Sequence, residues 1–172
     1  MINAAKIAHA LALLHDQRVV HRDLKPENVL LRRASGDPVL IDFGIAHVPD
    51  PRHQLSEGFI VGTIEYMSPE QAAGKSVEGG ADVYALGVVV YEWLTGVRPI
   101  RLPRTNLAEL AEELRKREPT PIEDWRPGLP IQLVELLDRM LAKKPGKRPT
   151  ALEVAEAFED VTRSLRRGTA RP

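Results

Sequence analysis

Between Ala4 and His15 the apolar residues Ile7, Leu11 and Leu14 recur at helical spacing, with Ala8 and Ala10 among them. Alanine has the highest intrinsic helix propensity, so the pattern predicts a helix ending near Asp16. Val29 to Leu31 and Val39 to Ile41 are short β-branched or leucine runs, parted by the turn-like Ala34-Ser-Gly-Asp-Pro38. They predict a small hairpin. Ile45 to Tyr66 shows no sustained period and holds Pro49, Pro51 and Gly58; it predicts a long loop of the kind that in compact domains carries function. Ala81 to Leu94 is almost wholly apolar apart from Asp82 and Glu92, the pattern of a helix buried on most sides. More amphipathic helices are expected over Leu107 to Arg117 and Ile131 to Ala142. Thr150-Ala-Leu-Glu153 is a capping-box signature for a last helix running towards Leu165. From Arg163 to Pro172 there are four arginines and no acid. A domain of residues 1–165 is expected, with 166–172 as a basic, disordered tail.

Composition narrows the classes of function. At 172 residues the chain can bury the core of one domain. Lys plus Arg and Asp plus Glu both number 24, so net charge is zero and there is no global electrostatic case for nucleic acid or an anionic membrane. The five histidines lack metal-ligand spacing and the arginines lack interleaved aromatics, which argues against zinc or nucleic-acid binding. There is no cysteine; a reducing compartment, and so a cytoplasmic location, is the default expectation. The longest apolar stretch, Val83 to Tyr91, falls well short of the ~20 residues a membrane span needs. The first residues carry charge and histidine where a secretory leader needs an uninterrupted apolar run.

The candidate chemistry lies in two motifs, HRDLKPENVL from His21 to Leu30 and DFG from Asp42 to Gly44. Phosphoryl transfer passes through a loose transition state, so a protein catalyses it by positioning groups and offsetting charge. An acid (Asp23), an ammonium (Lys25), an amide (Asn28) and, fourteen residues on, a second acid (Asp42) are a set suited to that task. Taken singly, each motif reads as an ordinary polar loop or turn. Their conjunction, followed by a PE motif, resembles the protein serine/threonine kinase family. SPEQAAG and DVYALGVVVYEWLTG look most like its bacterial, Hanks-type branch. The resemblance implies a mostly α, kinase-like large lobe with a small β-hairpin beside the catalytic loop. It implies ATP and Mg2+ as cofactors and a protein serine or threonine as substrate. Asp23 would be the catalytic base, Lys25 would sit near the transferred phosphoryl oxygens, Asn28 and Asp42 would hold the metal, and Leu30 would pack beneath the adenine.

Further positions resemble structural and regulatory residues of the family. Glu70 would pair with Arg148 and staple the activation segment to the helical base. Asp82 would accept backbone hydrogen bonds from the HRD loop, or serve as a simple N-cap. His21 and Phe43 resemble the large-lobe half of the regulatory spine, and Gly44 closes the DFG triplet. Thr63 would bridge Asp23 and Lys25, a serine/threonine-kinase feature. Arg22 would recognise a phosphate, for which Ser56 is the only hydroxyl between Gly44 and Gly62. A complete kinase also needs a glycine-rich loop, a strand lysine and a helix glutamate. No GxGxxG occurs, and Met1 precedes His21 by only twenty residues, so the small N-terminal lobe is expected to be missing. Activity is then expected only with an upper lobe from a partner chain or a longer product. The alternative is a non-catalytic, kinase-derived interaction module or truncated remnant that binds substrates or regulators through the helices after Pro69.

Overall fold

The computed structural model describes residues 1–42, 64–102 and 107–168. Its elements are α1 (Ile2–Asp16), β1 (Val29–Leu31), β2 (Pro38–Leu40), α2 (Pro69–Ala72), α3 (Gly80–Thr95), α4 (Leu107–Lys116), α5 (Ile131–Met140) and α6 (Ala151–Gly168). The fold is mostly α, as the resemblance implies. α3 is the pillar: every residue from Ala81 to Tyr91 is buried, and α1, α5 and α6 pack against it. It stops at Gly96, whose φ of 76° supplies a left-handed C-cap and whose N–H donates to Glu92 O at 2.8 Å. α1 turns Ala4, Ala5, Ile7, Ala8 and Leu11 inward. Those three alanines let α6 lie close along it, bringing Val154, Ala155, Phe158 and Val161 into the same core.

α3 and α5 meet at a glycine whose backbone is ordinary and whose value is its size. A Cβ on Gly87 would lie 3.1 Å from Met140 Cβ and 3.2 Å from Leu141 Cδ2. Gly87→Val is expected to overpack this contact and destabilise the fold by about 1–3 kcal/mol. A urea-unfolding midpoint equal to that of the parent chain would show that α5 yields freely and that the contact is not tight.

The hairpin is antiparallel, with Val29 opposite Leu40 and Leu31 opposite Pro38. β2 therefore begins one residue earlier than the β-branched run suggests. Ile41 continues the ladder outside the strand, its N–H donating to Asn28 O at 3.0 Å. The capping box forms as expected: Thr150 N–H donates to Glu153 Oε2 at 2.7 Å and Glu153 N–H to Thr150 Oγ1 at 3.2 Å. α6 corrects one boundary. It runs to Gly168, so residues 166–168 of the expected disordered tail are helical. Arg166 and Arg167 occupy its last turn, where cations complement the helix macrodipole. Arg163 adds an ion pair to Asp160 at 3.0 Å.

Candidate active site

The HRD loop is hung from α3 by backbone bonds. His21 N–H and Arg22 N–H donate to the two carboxylate oxygens of Asp82, at 2.9 and 2.8 Å. Asp82 is 1% exposed, so its charge depends on these donors in place of water. It does not cap the helix; the N-cap position is Gly79. Arg22 has a φ of 67°, a left-handed conformation that costs a non-glycine residue free energy and persists only where surroundings hold it. Here Asp82 grips its N–H, and Gln71 Nε2 donates to its carbonyl at 2.8 Å.

The His21 ring lies fully buried between the two motifs. Its Nδ1 accepts from Asp23 N–H at 3.4 Å, which places the proton on Nε2, the donor to Ile41 O at 3.1 Å. That bond joins the HRD loop to the residue before Asp42. Next, a 3-10 turn over Pro26–Asn28, with proline where its missing N–H costs nothing, folds Asn28 back beneath Asp23. Asn28 Nδ2 donates to Asp23 O at 2.7 Å and to Asp23 Oδ2 at 2.9 Å, and Lys25 Nζ donates to the same Oδ2 at 2.9 Å. The fold thus gathers Asp23, Lys25 and Asn28 into one cluster, with Asp23 Oδ1 outside these bonds.

Asp42 follows at the end of the hairpin, exposed and with a φ of 53°, a conformation aspartate tolerates better than most residues. The Asn28 amide nitrogen is committed to Asp23, so a cation held by Asn28 would be held through Oδ1. A neutral amide oxygen and an exposed carboxylate are hard ligands of the kind Mg2+ takes alongside phosphate and water; these residues fit the metal. Leu30, expected beneath the adenine, is 52% exposed and its neighbour Leu31 is 59% exposed. Phe43, Gly44, Ser56 and Thr63 lie outside the described residues.

After the undescribed segment the chain is clamped to the helical base. Tyr66 OH donates to Glu92 Oε2 at 2.6 Å, and the Arg98 guanidinium lies 5.1 Å from the Tyr66 ring centroid while pairing with Glu65. Burial, aided by the Glu92 bond, pushes the Tyr66 phenol up to about 12. Glu70 and Arg148 form the expected bidentate pair, Nη1 to Oε1 at 2.6 Å and Nη2 to Oε2 at 2.9 Å. Burial alone would raise the Glu70 carboxyl; the Arg148 bonds outweigh it and leave the group below the usual carboxylate range.

Two contributors were missed at the level of sequence. Gln71 is the far end of a capping box with Ser68, whose Oγ accepts from Gln71 N–H at 3.4 Å while Gln71 Oε1 accepts from Ser68 N–H at 3.2 Å. The Ser-x-x-Gln spacing carries that signal. His15, in the last turn of α1, lies with Nε2 2.8 Å from Asp82 Oδ2. No local pattern announces that contact, because its partner is 67 residues away.

The model of the protein kinase domain matches residues 3–158. The serine/threonine-protein kinase Pkn1 of Myxococcus xanthus is 41% identical over 148 residues, covering 84% of this chain and 21% of that protein. The tyrosine-protein kinase MasK of the same species is 42% identical over 142 residues, covering 82% and 22%. The crystal structure of the Mycobacterium tuberculosis PknI kinase domain aligns with a TM-score of 0.65 and 29% identity over 93% of this chain and 53% of that domain. The chain thus spans about a fifth of these curated relatives and about half of the solved kinase domain.

Proposed function

Since the chain belongs to the protein kinase family, for which ATP and a divalent metal are implied, we propose that it is the large-lobe part of a serine/threonine protein kinase. It would transfer the γ-phosphoryl group of ATP to a protein hydroxyl when an upper lobe roofs the nucleotide. The observation that carries this reading is the cluster in which Lys25 Nζ and Asn28 Nδ2 both lie 2.9 Å from Asp23 Oδ2. These bonds fix the carboxylate and keep one oxygen to orient the substrate hydroxyl and accept its proton. Lys25 holds its ammonium on the other oxygen, Oδ2, near where charge would develop on the phosphoryl group. Asn28 and Asp42 would hold the magnesium ion, which when bound offsets phosphate charge. The choice of serine or threonine rests on Lys25 and on the Gly62-Thr63 pair.

Against this stands the non-catalytic module. Leu30 and Leu31 remain more than half exposed; a module adapted to life without a nucleotide should have replaced such apolar surface. The family itself says nothing of an N-terminal lobe supplied by another chain or of a regulatory partner, and both stay within the proposal. No helix among the described residues is long and apolar enough to cross a membrane.

The test is transfer of labelled γ-phosphate from magnesium ATP to a generic basic protein. It is run with the 172-residue chain alone and with the upper lobe of a bacterial relative fused ahead of Met1. Transfer is expected from the fusion only, and Asp23→Asn should cut it by at least about 100-fold. Silence in both forms would favour the binding module, and transfer by the lone chain would overturn the requirement for a roof.

A further inference from the structure

We propose that the groove between the start of α1 and the end of α6 docks an acidic segment of a partner protein, one that carries an apolar side chain among its carboxylates. The two helices run antiparallel, with His9 Nε2 2.9 Å from Glu159 Oε1 across the seam. At one end of that seam Ile2, Ala5 and Lys6 of α1 and Arg163, Arg166 and Arg167 of α6 line a groove of about 520 Å³. None of Asp23, Lys25, Asn28 and Asp42 lines it, so the proposal does not rest on the phosphoryl-transfer reading.

The floor is apolar and the walls are cationic. Ile2 stays 44% exposed, available to an apolar side chain. Thr162 spends its hydroxyl within α6, Oγ1 donating to Phe158 O at 2.8 Å, so the polar groups the groove offers a ligand are charges. Four are cations, and the one carboxylate, Glu159, is already hydrogen-bonded to His9. With a net charge of zero over the whole chain, this is a local excess. The α6 macrodipole accounts for Arg166 and Arg167 in the last turn, but not for Lys6 on the other helix or for Arg163 a turn earlier. Lys6 pairs with Asp37 and Arg163 with Asp160, and all four side chains are exposed; such pairs are weak, so carboxylates of a ligand can take the place of the internal ones. Arg163 to Arg167 covers about 6 Å along the helix axis, a spacing that carboxylates two residues apart on an extended peptide match. A flat anionic bilayer would reach the rim and leave the floor empty, and the lining holds no aromatic ring for a nucleic-acid base to stack on.

Fluorescence anisotropy on the full 172-residue chain tests this without ATP, so failure of phosphoryl transfer would leave the result standing. The probe is a labelled short peptide of glutamate, leucine and glycine with glutamates at alternate positions. It is compared with the same peptide carrying serine for leucine and with phosphatidylserine vesicles. Saturable binding to the leucine peptide is expected, weakening as salt is raised. Arg166→Glu with Arg167→Glu should weaken it by about ten-fold or more, whereas Arg126→Glu with Lys147→Glu, equal in charge change and outside the groove, should change it by less than about two-fold. Ile2→Ser should weaken it by about three-fold or more, because it strips the floor; if that variant does not fold, the serine peptide makes the same comparison from the ligand side. Absence of saturable binding, equal losses in the two double variants, or a serine peptide that binds as well as the leucine one would reduce the groove to surface charge and overturn the proposal. Binding to the vesicles without binding to the peptide would overturn it in favour of a membrane surface.

Discussion

Replacing Arg148 by alanine is expected to lower the free energy of unfolding by about 3–5 kcal/mol, the cost of breaking a buried pair by removing one partner. The whole stability of a domain is about 5–15 kcal/mol, so the variant should be partly unfolded near 37 °C. Arg148 uses its full fork. Besides Glu70, Nε donates to Ala142 O at 2.7 Å, Nη1 to Gly80 O at 2.8 Å and Nη2 to Lys143 O at 3.3 Å, while the guanidinium lies 4.9 Å from the Tyr84 ring centroid. Alanine would strand three carbonyls and leave Glu70, 8% exposed, without its counter-charge. Removing both charges in Glu70→Gln with Arg148→Met should recover part of the loss, because the uncompensated anion is then absent. Acid sensitivity should change sign as well. With Arg148 present, the Glu70 carboxyl is depressed; its contribution is in place above the unfolded pKa near 4.5 and is lost as pH falls through the lower folded value. Without Arg148 the largest influence left is burial, which raises it against the remaining backbone and Ser68 hydrogen bonds, so Arg148→Ala should regain stability as pH is lowered from 7 towards 5. Urea unfolding across that range measures both effects. A loss under about 1 kcal/mol would mean the pair works like an exposed salt bridge and staples nothing.

Asp82→Asn is expected to cost about 2–3 kcal/mol and to disable the loop out of proportion to that loss. The amide presents one oxygen and one NH2 to two converging backbone donors, so the N–H of His21 or Arg22 must face another donor, and an unmet buried donor costs about 1–3 kcal/mol. Arg22 would also lose the grip that sustains its φ of 67°. Asp23 is the next residue, and a displacement of about 1 Å at a reacting group can cost 100-fold in rate. In the fused, complete kinase, transfer by Asp82→Asn should therefore fall by at least about 100-fold at temperatures where thermal unfolding shows the variant folded. A folded variant with parental transfer would show that the loop holds its shape without the carboxylate.

How much of this was legible beforehand depends on the distance over which each feature is decided. The helix over Ala81 to Leu94 shows as an almost unbroken apolar run because it is buried on nearly every side, and that over Ile131 to Ala142 shows in periodicity because burial of a helix face repeats every three to four residues. The Thr150 capping box shows because all its atoms lie within four residues. The end of α6 was misplaced: a run of arginines reads as a solvated tail, yet at a helix C-terminus cations are favourable and the helix runs on to Gly168. Gly79 is opaque in the chain, where a glycine before a helix suggests a turn; only the imidazole packed against it explains the choice.

By itself the sequence determined the family of this protein. The order and spacing of Asp23, Lys25, Asn28 and Asp42 carry that resemblance, and Asp23, Lys25 and Asn28, lying within one short loop, are placed by local turns such as that over Pro26–Asn28. Only the tertiary structure decided what holds that set in place. Asp82 lies 60, 61 and 67 residues from Arg22, His21 and His15, and Glu70 lies 78 residues from Arg148; a hydrogen bond across such a separation exists only once the core between the partners has packed.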